Sequence, residues 1–161
     1  MTRFAMATLL VLMLCSVGMN ASAQNKPIQL ALFNPVQIFP ENTSISGIRL
    51  SLLYGKNVSV GGLDWGLVNE TTSGQSVGWK LGLVGLNSGS FVGLQTCFVN
   101  LTEGSAEGVQ WGFYNHAGRM SGFQLGLVNE CGSMNGIQIG LVNIIKAGGQ
   151  FPVFPIVNWS F

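Results

Sequence analysis

A histidine acting as a general base needs a carboxylate to orient it or a nucleophile within hydrogen-bond reach. The chain has one histidine, His116, in the turn-like stretch Asn-His-Ala-Gly, and the nearest carboxylate by spacing is Glu130, one repeat further on. That pairing reads as a solvated turn residue beside an acid, with no nucleophile at hand. Zinc usually takes three or four protein ligands, so a lone histidine builds no metal site. The acids outside the N-terminal stretch (Glu41, Asp64, Glu70, Glu103, Glu107 and Glu130) are scattered at no more than two per repeat, in no recurring position, whereas glycoside hydrolysis requires two in one cleft. The runs GQSVGWKLG (74–82) and GLNSGSFVG (85–93) imitate phosphate loops, yet lack the Lys-Ser/Thr pair and a following helix. Cys97 and Cys131 occupy different places in their repeats, so stacking would not bring them together, and nothing pairs with either to hold a metal. The residues therefore predict no catalytic, cofactor-binding or metal site. The expected protein is not an enzyme.

The elements that would position any such residue are repeats. Aligned octets begin near residues 27, 47, 62, 78, 93, 108, 122, 136 and 151, from PIQLALFN through GLDWGLVN, GVQWGFYN, GFQLGLVN and GIQIGLVN to a degenerate FPVFPIVN. Within an octet the side chains alternate, the two-residue period of a strand. Positions two, four and six are large and apolar, position three is polar, position five is usually Gly and position eight is usually Asn. A helix would scatter these residues round its surface and be weakened by its glycines. Between octets, segments such as NHAGRMSG and NECGSMNG carry turn residues. An apolar residue recurs inside them (Phe91, Ala106, Met120, Met134), predicting a second, shorter strand that adds to the core.

Two all-β architectures fit. In a β-solenoid of about nine units of 14–16 residues, each unit is one coil and like residues stack about 4.8 Å apart, giving a rod about 40 Å long. Asn then forms an amide ladder at a fixed corner, and the third-position Gln residues form another on the outer face, over an apolar core. Asp64 and Lys80 would stack there as an exposed ion pair. Terminal repeats should be atypical, and Pro27 and Pro155 replace glycine in the first and last units. The alternative is a small outer-membrane barrel of 8–10 antiparallel strands, each unit one strand, which the aromatic ending Asn-Trp-Ser-Phe suits. Trp65 and Trp111, in mid-strand, do not suit an interfacial girdle.

Residues 1–23 read as a secretory leader: a cationic start, an apolar run and Ala21-Ser22-Ala23 as a cleavage site. The remainder, 24–161, is one repeating domain whose six basic and six acidic residues cancel. Only 8% of the chain is charged, against about 25% in ordinary domains. No basic patch exists to neutralise phosphates, which excludes nucleic acid, and no small-molecule substrate suggests itself. The sequons at Asn42, Asn57, Asn69, Asn100 and Asn158 matter only in a eukaryotic secretory pathway. A recognition surface would be signalled by aromatics on the outer face; alternation assigns them to the apolar face, Tyr114 excepted.

Serial GxQxGLVN octets, preceded by FPENTSISGIRLSLLYGKN (39–57) and closed by FPVFPIVNWSF (151–161), resemble a family of surface-repeat proteins of spirochaetes and some other Gram-negative bacteria. The resemblance implies an exported protein at the cell surface, outer membrane or periplasm, with a structural or interaction role and no assigned chemistry. Partners consistent with it are the outer membrane itself, or a surface polysaccharide or protein. Tyr54 and Gly85 depart from the motif where Asn is usual, as do Thr96 and Cys97.

Overall fold

The computed structural model of the protein describes residues 25–161. The leader expected at 1–23 lies outside the described residues. Nine strands follow one another: β1 (Lys26–Phe33), β2 (Val36–Gln37), β3 (Ile45–Asn57), β4 (Gly61–Thr71), β5 (Gln75–Asn87), β6 (Ser90–Trp111), β7 (Tyr114–Leu125), β8 (Val128–Ala147) and β9 (Val153–Ser160). From β1 through β3 to β8, each pairs in parallel with the next. Gly62 lies opposite Gly78, Gly78 opposite Gly93, and Gly108 opposite Gly122 and then Gly136 across successive coils. This is a β-solenoid of about eight coils, not a barrel.

The ninth unit is not a coil. β9 runs antiparallel to β8, with Asn158 opposite Gln138, and closes the C-terminal end. At the other end β2 pairs antiparallel with β1. Gln29 extends that cap with its side chain: its amide donates to Phe39 O at 2.7 Å and accepts from Phe39 N at 2.9 Å, as a neighbouring backbone would. The second unit holds one residue more than its neighbours. Tyr54 therefore lies opposite Val68, and Gly55, not Tyr54, takes the asparagine corner opposite Asn69.

Each coil bends where alternation fails. Positions six and seven both point outward, as Leu67 and Val68 do, and the chain turns there before Asn69 points in again. From Gly62 to Gly136 each coil opens on a glycine with a backbone angle that L side chains rarely adopt, as at Gly108 (φ 115°). A Cβ at that glycine would also run into the carbonyl of Gly93, stacked beneath it.

The inward face is the reverse of the one expected. The third-position side chains Gln29, Arg49, Asp64, Lys80, Gln95, Gln110, Gln124 and Gln138 are all buried, and the apolar second, fourth and sixth positions lie on the outside. A coil of 14–16 residues encloses a lumen about one side chain deep. Gly, Gln and Gly at positions one, three and five fit it side by side, whereas large apolar side chains at three such positions in every coil would not, and Phe91, from a mid-segment, is the ring it takes. The mid-segment residues go inside as expected: Ala106, Met120 and Met134 pack with Ala117, Cys131 and Ile145 as the apolar part of the core.

Candidate functional site

Two systems of side chains define what this molecule can do: the polar ladders inside and the apolar rows outside. Gln138 donates from Nε2 to Gln124 Oε1, Gln124 to Gln110 and Gln110 to Gln95, each at 2.7 Å. The second amide hydrogen goes to the carbonyl six residues on, at Ile144, Glu130 and His116. That second bond settles which way each amide faces. The corner asparagines form a ladder of opposite direction. Asn100 donates to Asn115 at 2.9 Å, Asn115 to Asn129 and Asn129 to Asn143, each at 2.8 Å. Hydrogen bonds in such chains polarise one another, and the buried amides cost little because they are paired. The Asn ladder is where alignment placed it; the Gln ladder is inside and not on the outer face.

The Gln ladder stops at Lys80. Lys80 lies opposite Gln95 in the stack and offers no acceptor, and Gln95 Nε2 finds none. Below it lies a buried ionic cluster: Arg49 binds both oxygens of Asp64, at 2.7 and 2.8 Å, and Lys80 Nζ lies 3.4 Å from the same carboxylate. The exposed Asp64–Lys80 pair expected from sequence is thus a buried triad. Burial pulls the Lys80 pKa down to about 8, with Asp64 opposing it. Cys97 and Cys131 are free and buried, and burial pushes each thiol up to about 12.

His116 does meet Glu130, with Nδ1 3.9 Å from a carboxylate oxygen. The same carboxylate accepts from Tyr114 at 2.6 Å and pairs with Lys146 at 2.7 Å. Lys146 first, and Tyr114 second, hold Glu130 below the ordinary carboxylate range, so it is a committed partner and a poor base. Tyr54 and Glu70 repeat the contact near the N-terminal end. Of the five sequon asparagines, Asn57, Asn69, Asn100 and Asn158 are buried and closed to modification.

Outside, three rows run the length of the rod. Position two gives Ile28, Trp79 and Phe123, position four gives Leu30, Trp65, Trp111 and Ile139, and position six gives Leu32, Leu67, Leu83, Phe98, Phe113, Leu127 and Leu141, all exposed. Trp111 and Leu141 are 64% and 66% accessible, and Phe98 stacks on Phe113 at 4.9 Å. No charged side chain lies in these rows. From β3 to β8, those that reach the surface (Lys56, Glu70, Glu103, Glu107, Arg119, Glu130, Lys146) all fall between the asparagine corner and the next opening glycine. The aromatics are therefore on the surface, contrary to the alternation-based assignment. The apolar band exceeds the few hundred Å² at which an exposed patch signals an interaction site. Compared with protein families, curated proteins and solved structures, the chain matches none.

Proposed function

We propose that this is an exported, non-enzymatic envelope protein that works by presenting one uncharged apolar face of a solenoid to a partner. The observation carrying the reading is the outward placement of the apolar and aromatic rows, with every surface charge of the coils segregated to the other edge. Export is supported by the leader-like residues 1–23, and a surface or outer-membrane address by the likeness to surface-repeat proteins. The barrel alternative falls with the parallel pairing.

A polysaccharide is a weaker partner for this face. Sugar recognition needs several donors and acceptors beside the stacking rings, and rows two, four and six supply only Thr96, already bonded to Trp79, and the indole N–H groups of Trp65 and Trp111. A protein or lipid surface without charge fits better. The test is the behaviour of residues 24–161 refolded with and without detergent, followed by circular dichroism and size-exclusion chromatography with light scattering. A β-rich chain that associates in water, or needs detergent to stay dispersed, is the expected result. A folded, monodisperse monomer indifferent to detergent would sink the reading.

A further inference from the structure

We infer that the partner of the apolar face is the acyl layer of a membrane, on which the solenoid lies with its axis in the membrane plane; the inference rests on the reading above. The first observation is how the corner backbone is closed. Where a coil bends, a water-exposed protein can leave N–H and C=O groups to solvent. Here Asn100 Nδ2 takes the carbonyls of Cys97 and Trp111, and Asn129 Nδ2 takes that of Ile139. Corner amides bond to the corner before them: Phe113 N to Phe98 O at 2.8 Å, and Val142 N to Leu127 O at 2.9 Å. The strands on either side pair with their neighbours throughout. Backbone that meets hydrocarbon must satisfy its polar groups internally, and this face does so through its buried asparagines.

The second observation is shape. Rows two and four lie on one flat side, about 34 Å along eight coils at 4.8 Å spacing and about 10 Å across. Row six continues the apolar surface round the bend, out of reach of one rigid copy. Fluid acyl chains cover both sides of a bend at once. The side chains would enter about 5–10 Å, the depth of interfacial elements. The third observation is charge: with none on the face, attachment owes nothing to anionic headgroups, and salt should leave it unchanged.

The experiment uses residues 24–161, within which every strand of the solenoid finds its partner, and zwitterionic phosphatidylcholine vesicles with or without brominated acyl chains. Trp65, Trp79 and Trp111 report immersion through quenching. Two further chains carry Leu83→Glu with Leu141→Glu on the apolar face, or Ser121→Glu with Ser133→Glu on the polar edge. All are checked for unchanged circular dichroism, and these outward positions leave the core untouched. Expected are flotation with the vesicles and quenching by brominated chains, alike in low and high salt. The apolar-face pair should weaken partitioning roughly tenfold or more, and the polar-edge pair should not. Binding abolished by salt, or unmoved by Leu83→Glu with Leu141→Glu, overturns the inference. Discrete dimers that leave vesicles unquenched overturn it in favour of a second copy, and keep the apolar-face reading. Dispersed monomers that ignore vesicles overturn both.

Discussion

Lys80 and Arg49 stand where other coils carry glutamine, and in each case the asparagine corner of the same coil is a glycine, Gly85 or Gly55. A Cβ on Gly85 would lie 3.0 Å from Lys80 Cδ and 2.9 Å from Cys97 Sγ. The lysine stem and the thiol thus fill the volume an asparagine takes elsewhere, and the residues that break the motif are one packing unit. Gly85→Asn alone should destabilise by about 1–3 kcal/mol through overpacking. The triple change Lys80→Gln, Gly85→Asn, Cys97→Gly should instead stabilise by about 1–2 kcal/mol, since Gln95 Nε2 gains an acceptor and a surplus buried cation is removed. Urea midpoints at neutral pH would decide between them. The cluster also gives a pH signature. The unfolded lysine holds its proton to about 10.5 and the folded one loses it near 8. In that window the unfolded chain binds more protons, so stability rises with pH, by on the order of 3 kcal/mol if the whole window were available. Above pH 9 the thiols work the other way: free cysteines ionise near 9.0, and Cys97 and Cys131 are held neutral to about 12. The rise therefore belongs to pH 8–9 and should vanish in Lys80→Gln. A midpoint that stays flat in the wild-type chain would show that Lys80 does not carry a buried charge.

At the scale of the coil, the ordinary ranking of substitutions is inverted. Gln124 joins Gln110 to Gln138 and closes the carbonyl of Glu130. Gln124→Leu would orphan a donor and two acceptors, at a cost of about 2–4 kcal/mol. Trp111→Ala, in the exposed row, should change stability in water by no more than about 0.5 kcal/mol. Thermal melts of the two variants side by side test this, and a larger loss from the tryptophan would mean that the rows face inward. The strands, the repeat length, the Asn ladder and the mid-segment strand were all legible in the octets, because alternation and spacing are local properties. Which side faces in is not a local property: alternation separates two faces without saying which is the core, and the usual rule that apolar residues go inside fails in a lumen this narrow. The corrective was present in the residues. From Gln95 to Gln138, position four runs through Thr, Trp, Leu and Ile, as an unpacked surface can, while Gln at position three and Asn at the corner stay unchanged, as stacked identical groups must. Glycines at positions one and five share parity with the glutamine and mark the crowded side. The His116–Glu130 contact was also readable from spacing, whereas Lys146 and Tyr114, which turn it into an ion-pair cluster, come from neighbouring coils and were not foreseen.

For the whole molecule, the property that sets it apart from a fibril is that its stacking ends. A parallel coil offers its edge as a template for the next one, and an open edge pairs with whatever strand arrives. β9 removes that option at the C-terminal end. It pairs with β8 in the opposite direction, and Phe154 O takes the free amide of Asn143, the last rung of its ladder. Its own outer edge is a poor template, since Pro155 has no N–H and Ile156 adopts a positive φ of 71°. Gln138 Oε1, by contrast, is left without a donor beneath it, as expected of a ladder stopped and not completed. Truncation after Gly148 should therefore leave eight coils with both ladders open and β8 bare. The shortened chain should stack end to end, adding coils in register and giving Gln138 and Asn143 the partners that the cap denies them. Light scattering should show mass growing with protein concentration, and circular dichroism should show β content retained. The apolar face would remain exposed in such stacks, so growth caused by the bare edge should persist in the Leu83→Glu, Leu141→Glu background. If the truncated chain stays a folded monomer there, β9 is not what ends the stack.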